Sequence, residues 1–573
     1  MKKIKILAIA MAVVFSIVGC SKDGKKDENN GKYENTANDS KYIHLSMINP
    51  KTINPINNTD QSVGYVMDLV YDSLFTIDSN YNAVPQLVES YSILGDGKSM
   101  EVKLKDAKWH NGNPITSSDV AFTVNSINSS QTSPYKALIG NISDISVIDS
   151  KNFRINFKSP NAFSIDTLIF PIVSKDALSG LSSKDLDEYK NNMVGSGPYK
   201  ISKYDQRSNM ILTLNEDYFD KDKIKGVKKE INVMMVPDAE AQVSMTLALS
   251  SDITKVGLSD LSQFQKNQFK ITNYEGRGYE YIVFNYNKPI MKDLNFRKAI
   301  AHAINRKQIV DEGYLGKVAM VNFPLHSKSK YYDESIKALD YNMDKAKKYL
   351  TKIDIDKINN SATNNETKKE ESNEKQDKKQ QKTEETKETK ETKETKETKE
   401  TKETKEEKDA KNKNNIKDEI KRLDLKILVN KENSERVKAA YVIKENLNEI
   451  GIKSTISELE GTALSEALDK KDYDLALIGW EMSPIPDATD IINYSGYSDE
   501  KLTGYLNSLK NSTNVSNTKD IYKSIQKYTR DNVPFISIGI SDDYLVTNKR
   551  IEGDLKPNDF DIYEGIYHLH LEK

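Results

Sequence analysis

The order of apolar patterns between Leu423 and Ile478 constrains the fold more than any other feature of the chain. Leu423, Leu425, Ile427 and Val429 alternate, as residues of a strand do. Val437, Ala440, Tyr441, Ile443, Leu447 and Ile450 then recur at helical spacing, and Gly451 stands where a helix commonly ends in a left-handed residue. Ile452, Ser454 and Ile456 read as a short strand, Thr462 to Lys470 as a second helix, and Tyr473 to Ile478 as an apolar strand buried on both faces. The order β-α-β-α-β builds a parallel sheet with right-handed crossovers. Ligands of such sheets bind outside the carboxyl ends of the strands. Gly479-Trp480-Glu481 sits at such an end and is a site candidate on topology alone.

The amino-terminal residues bear on location. Lys2, Lys3 and Lys5 precede a nearly uninterrupted apolar run from Ile6 to Val18, followed by Gly19 and Cys20. This is the layout of a secretory signal peptide, and the run is shorter than the roughly 20 residues of a membrane-spanning helix. Ile17-Val18-Gly19-Cys20 resembles a bacterial lipobox, in which the cysteine thiol is lipidated and becomes residue one after cleavage. Cys20 is the only cysteine among 573 residues, so no disulfide can form within the chain. The expected location is the outer face of a cell membrane, held there by a lipid on Cys20, as on a Gram-positive cell surface. Residues 21–41 are polar and read as a flexible linker.

A second polar stretch, residues 357–417, is built from Lys, Glu, Asn, Thr and Gln, and repeats Glu-Thr-Lys between Glu385 and Lys405. A period of three cannot keep a stripe on a helix of 3.6 residues per turn, and nothing apolar is present to form one. It is expected to be a disordered insertion between a helix, Met343 to Leu350, and the first strand of the β-α-β-α-β unit.

Elsewhere, Val63, Val66, Met67, Val70 and Leu74 recur at helical spacing. Ser99 to Leu104 alternates, Tyr279 to Phe284 is β-rich, and Phe296, Ala299, Ile300, Ala303 and Ile304 mark a helix. Ser117-Ser118-Asp119 precedes the helical run Val120-Ala121-Phe122 as a cap would. The formal net charge of −2 gives no electrostatic case for nucleic acid. No nucleophile elbow, P-loop or His-Glu-x-x-His is present. Gly195-x-Gly197 is followed by Pro198, which removes a backbone donor. His568 and His570 share one face of an expected strand, a weak hint of a metal. No catalytic residue, cofactor or metal is expected, and binding rather than catalysis is the reading.

A series of motifs then carries a resemblance. Leu87-Val88-Glu89-Ser90-Tyr91, Gly97, Val102-Lys103-Leu104, Trp109-His110-Asn111-Gly112, Pro114-Ile115-Thr116 and Asp119-Val120-Ala121-Phe122 occur in order. Around them stand Ile53-Asn54-Pro55, Val194-Gly195-Ser196-Gly197-Pro198-Tyr199, Asn215 with Asp217-Tyr218-Phe219, Phe284-Asn285, Phe296-Arg297-Lys298-Ala299, Tyr522-Lys523-Ser524-Ile525-Gln526 and Val533-Pro534-Phe535-Ile536. From about Tyr42 onward the chain resembles the family 5 extracellular solute-binding proteins, the oligopeptide and dipeptide substrate-binding lipoproteins of ABC importers.

That resemblance implies a two-lobed α/β fold of the periplasmic-binding-protein kind, with mixed sheets, a hinge between lobes and a satellite domain. Lobe I would comprise residues 42–72, 193–285 and 544–573, the satellite 73–192 and lobe II 286–543. It implies capture of a small peptide by a monomer and delivery to an ABC transporter permease. Binding of a sugar or metal chelate by the same fold, or a surface sensor or adhesion role, are the alternatives. By position, Trp480 matches the family's Gly-Trp strand end. Family members commonly carry, three positions later, an aspartate that pairs with the peptide amino terminus. Here that position is Ser483, with Glu481 and Asp487 as nearby carboxylates. Thr59, Asp60 and Gln61 fall in a ligand-pairing loop, and Asn285 and Tyr286 at a lobe crossing.

Overall fold

Two long antiparallel strands, Phe269–Phe284 and Phe535–Asn548, form the spine on which both halves of the molecule are built. The computed structural model describes residues 41–353 and 423–571, apart from 96, 190–192 and 227–228. The expected signal peptide, Cys20, all but the last residue of the 21–41 linker and the 357–417 insertion lie outside the described residues.

The paired spine sits inside an 11-stranded mixed sheet. On one side the order continues through Ile253–Val256, Tyr42–Ile48, Glu230–Val236, Asn209–Leu214 and Tyr199–Asp205. On the other side it continues through Leu475–Glu481, Asp424–Asn430 and Lys453–Leu459. Asp424–Asn430 pairs in parallel with both its neighbours, and helices Ser434–Glu449 and Gly461–Asp469 connect them. The β-α-β-α-β unit is therefore present as the apolar pattern predicts. Gly451 follows its first helix with φ +85°.

Each side has its own core. Ile43, Leu45, Ile231 and Val233 pack with Leu545 and the C-terminal tail in one apolar cluster. Ile282, Phe284, Ile300, Ile427, Ile443 and Leu475 pack in another. The result is a two-lobed α/β fold. A separate four-stranded antiparallel sheet, in the order Val88–Ile93, Ser99–Leu104, Asn152–Phe157 and Ile142–Val147, packs its Met100, Val102, Phe153 and Ile155 into the first cluster.

Three local expectations need correction. The helix through Val63 covers only Gln61–Met67, although Val70 and Leu74 are buried. The helix stops because later carbonyls are engaged elsewhere. Val70 O accepts from the N–H groups of Ser196 (3.0 Å) and Gly197 (2.8 Å), and Leu69 O accepts from Tyr199 N–H (3.0 Å). The cap of helix Ser117–Ser129 is Thr116, whose N–H and hydroxyl both donate to Asp119 Oδ2, at 2.8 and 2.9 Å. Asp119 thus closes a capping box from inside the helix rather than capping it from outside. His568 lies in a 3-10 turn and only His570 in a strand, so the two do not share a strand face.

The contact that truncates the first helix also joins two of the sequence motifs. A Cβ on Gly195 or Gly197 would run into the backbone of Leu69 and Val70, which explains both glycines of Val-Gly-Ser-Gly-Pro-Tyr. His110 closes the joint. Its N–H donates to Gly195 O (2.8 Å) and its Nε2 donates to Gly197 O (3.0 Å). Burial, with Lys200 assisting and the Gly197 bond opposing, lowers the imidazole pKa to about 4 from 6.5. Between those values the unfolded chain binds a proton that the folded chain does not. Stability is therefore lost as pH falls through that window. Acidification from pH 7 to 4 should cost up to about 3 kcal/mol through this group. Urea unfolding of His110→Gln across the same range should show a flatter profile than the parent, and an unchanged profile would refute this account.

Candidate ligand-binding cleft

The spine strands lose register where the lobes meet. Glu275 pairs with Asp542 and Tyr279 with Ile540, so residues 276–278 face only Ser541. A bulge of this kind bends a strand and re-aims a side chain. The side chain is Arg277. Its Nε bonds Asp559 Oδ2 at 2.5 Å, and its Nη2 pairs with Glu481 Oε1 at 2.9 Å. Its backbone carbonyl accepts from Met482 N–H at 2.9 Å. Arg277 thereby ties the C-terminal tail of one lobe to the strand end of the other. Asp559, with its side chain 2% exposed, also binds Lys255. Burial opposes ionisation of Asp559, but Lys255 and Arg277 together hold its carboxyl below the usual range.

Two adjoining cavities open beside this bridge. The larger holds about 630 Å³ and is lined by Thr59, Asp60 and Gln61 on one wall and by Ser483 and Pro484 on the other. The smaller, about 150 Å³, is lined by Trp480, Glu481, Ser483 and Asp487 together with Tyr81 and His326. Arg277, Ser483 and Pro484 line both. Seven of the nine ligand-site residues expected from sequence thus converge on one cleft. Several already have local duties. Asp60 Oδ1 accepts from Val63 N–H (3.1 Å) as the cap of its helix, and Asp487 Oδ1 accepts from Thr489 N–H (2.9 Å).

Residues 82–385 and 353–501 match the model of the bacterial extracellular solute-binding proteins, family 5. The chain belongs to that family. The oligopeptide-binding protein AppA of Bacillus subtilis is 23% identical over 575 residues, covering 96% of this chain and 95% of AppA. The structure of the ABC transporter substrate-binding protein CtaP from Listeria monocytogenes superposes with TM-score 0.69 and 22% identity, covering 93% of this chain and 99% of CtaP. The AppA structure, solved in complex with a nonapeptide, superposes with TM-score 0.57 and 21% identity, covering 93% of this chain and 99% of AppA. The family and fold are those of substrate-binding proteins, and the family is extracytoplasmic. Among the described residues no helix is long and apolar enough to cross a membrane.

In this family 5 protein, Asn285 and Tyr286 line neither cavity. Asn285 is buried and its Nδ2 donates to the carbonyls of Lys471 (2.8 Å) and Tyr473 (2.7 Å). Tyr286 donates to Pro534 O (2.9 Å), and its ring lies 5.4 Å from the Arg297 guanidinium. Arg297, 3% exposed, donates to the carbonyls of Met291, Lys292, Asn532 and Val533, and so supports the left-handed Val533 before Pro534. Both residues hold lobe II together instead of facing the cleft. Conversely, Arg277, Tyr81, His326 and the tail carboxylates Asp559, Asp561 and Glu564 line the cleft without having been singled out from sequence. Gly276-Arg277-Gly278, a charged residue between glycines ahead of a β-rich run, was the available signal for a bulge.

Trp480 owes its position to a buried ion pair beneath the sheet. It pairs with Tyr279 across the strands, and its ring centre lies 5.3 Å from that of Tyr494. The preceding Gly479 leaves room for Arg436, whose guanidinium a Cβ would overlap. Arg436 grips Glu280 through Nε (2.7 Å) and Nη2 (2.8 Å), and Tyr314 donates to the same carboxylate at 2.9 Å. The Glu280 side chain is only 4% exposed. Removing one partner of a buried pair strands the other charge. Arg436→Met should therefore destabilise the protein by about 3–5 kcal/mol in urea unfolding, and adding Glu280→Gln should recover part of it. A loss below about 1 kcal/mol, as for an exposed pair, would contradict the buried-pair account.

Proposed function

We propose that this chain is a surface lipoprotein that captures peptides in the cleft between its lobes and delivers them to the permease of an ABC importer. The observation that carries this reading is the cavity of about 630 Å³ walled by both halves of the molecule at the carboxyl end of strand Leu475–Glu481. That volume lies within the roughly 300–1,000 Å³ range of small-ligand sites. Such a cavity is completed by closure of two walls, and a ligand drives closure by binding the closed form better than the open one. Family membership and the full-length similarity to AppA, whose solved structure holds a nonapeptide, support a peptide as the solute. Capture and release require no bond to be made or broken, so the protein acts as a monomeric binder and not as an enzyme. Lipidation of Cys20 would hold it at the outer membrane face, near the permease.

One observation favours a different solute in the same cleft. Ser483 stands where a peptide amine would meet an aspartate, Glu481 is engaged by Arg277, and Asp487 accepts from the Thr489 N–H. A sugar or metal chelate would not need that carboxylate. Thermal shift separates the two. A ligand at 100 times its Kd stabilises the native state by about 2.7 kcal/mol. Pools of peptides two to ten residues long should raise Tm. A shift with a sugar or metal chelate, and none with any peptide pool, would overturn the peptide reading.

The anchor is tested separately. Cys20→Ser should move the protein from the membrane fraction to the medium or a soluble fraction, while the purified variant keeps its ligand affinity. Retention of Cys20→Ser on membranes at the parental level would remove the lipid from the account.

A further inference from the structure

We propose that the cleft selects cationic solutes, so that the captured peptides carry Lys or Arg side chains against its acidic walls. This rests on the peptide reading above and names the chemical class of the ligand. The larger cavity is lined by Asp60, Asp68, Asp78, Asp559, Asp561 and Glu564, against only Lys223 and Arg277. The two cations balance only part of the excess. Arg277 is committed to Asp559, Glu481 and the Met482 carbonyl. The Lys223 ammonium lies 4.9 Å from the centre of the Tyr567 ring. Asp559 is neutralised by its two partners, but among the described residues no hydrogen bond or ion pair reaches the Asp68 carboxylate.

Asp68 lines the cavity with an exposed side chain. Its position in the cleft, with Asp561 adding repulsion and Lys223 relieving part of it, raises its carboxyl above the usual range. Asp561 and Glu564 are raised by burial too, and Glu564 also by Asp561. These acids repel one another when the cleft is empty, and a positive group placed among them reverses the sign of the interaction.

The smaller cavity points the same way through its own acids. His326, 7% exposed, lines it and stacks on Tyr81 with ring centres 3.6 Å apart. Its Nδ1 lies 2.9 Å from Glu275 Oε1, an oxygen that also accepts from Ser327 N–H. A carboxylate accepts only, so Nδ1 donates the hydrogen bond to it. Nε2 is buried and has no hydrogen-bond partner. Glu481, Asp487 and Asp490 line the same cavity. Carboxylates therefore outnumber Lys and Arg in both cavities, and they suit a positively charged ligand.

Calorimetric titration of the full chain decides the matter. The probes are three pentapeptides with alanine at four positions and lysine, alanine or glutamate in the middle, together with the polyamine spermidine. The lysine peptide should bind about tenfold tighter than the alanine peptide, and the advantage should shrink at high salt. In the double variant Asp68→Asn/Asp561→Asn, the ratio of lysine-peptide to alanine-peptide affinity should fall to about one. This variant removes mutual repulsion, so it should melt no lower than the parent. Equal or tighter binding of the alanine or glutamate peptide would overturn the charge preference and leave the peptide reading standing. Binding of spermidine with no peptide bound would overturn the peptide reading and uphold the charge preference. Silence with both the lysine peptide and spermidine, or a lysine advantage that survives the double variant, would overturn the inference.

Discussion

Everything in this molecule depends on how one sheet is made to serve two lobes. The strands Phe269–Phe284 and Phe535–Asn548 pair along nearly their whole length, and each lobe hangs its other strands on one side of that pair. A continuous ladder alone would fuse the lobes into one rigid slab. The break at residues 276–278 interrupts the ladder, and a second shift follows between Glu280 and Tyr281. Backbone pairing is lost over a short stretch, and bending the spine there sacrifices the fewest hydrogen bonds. The same bulge projects Arg277 between the lobes. It pairs there with Asp559, which is buried, and with Glu481, which is largely exposed.

The site needs rigidity next to this flexible joint, and lobe II supplies it through buried charge. Glu280 follows the break by two residues, and its carboxylate is held by Arg436 and Tyr314 under strand Leu475–Glu481. Arg297 does comparable work at the end of helix Val515–Asn532, where it satisfies carbonyls that the helix leaves open. These interactions fix where Trp480 and Glu481 emerge. A cleft wall built on a registered strand end is a better-defined surface than one built on a loop.

The regular part of this architecture was legible because it depends on periodicity. Alternation at Leu425, Ile427 and Val429, the helical pattern to Ile450 and the stop at Gly451 gave the β-α-β-α-β unit, and topology then pointed to Trp480. What could not be read depends on partners distant in sequence. The first helix ends at Met67 because residues 195–199 claim the carbonyls of Leu69 and Val70, and no local pattern near Val70 reports that claim. Tyr286 looked like a cleft residue from its place at a lobe crossing, yet Arg297 and Pro534 draw it into lobe II. Arg277 and the tail carboxylates were overlooked for the same reason. Their meaning arises only when Asp559 is brought 282 positions back to the bulge.

The charge of the cleft also bears on how capture is coupled to closure. Asp68 and Asp561 stand on one wall, and Ser483, Pro484 and Glu481 stand on the other. In the empty state the acids on the first wall repel one another, and Glu481 on the second is occupied by Arg277. A solute that touched only one wall would bind open and closed forms alike and could not shift the equilibrium between them. A cation seated against the first wall lowers its repulsion, while its remaining donors meet Glu481 and Asp487 only when the walls approach. The part of its binding energy that depends on both walls is the part that closes the cleft. Acidic residues that raise the energy of the empty closed form therefore sharpen its dependence on ligand, and the Arg277 bridge keeps the tail and the strand end in register while the exchange takes place.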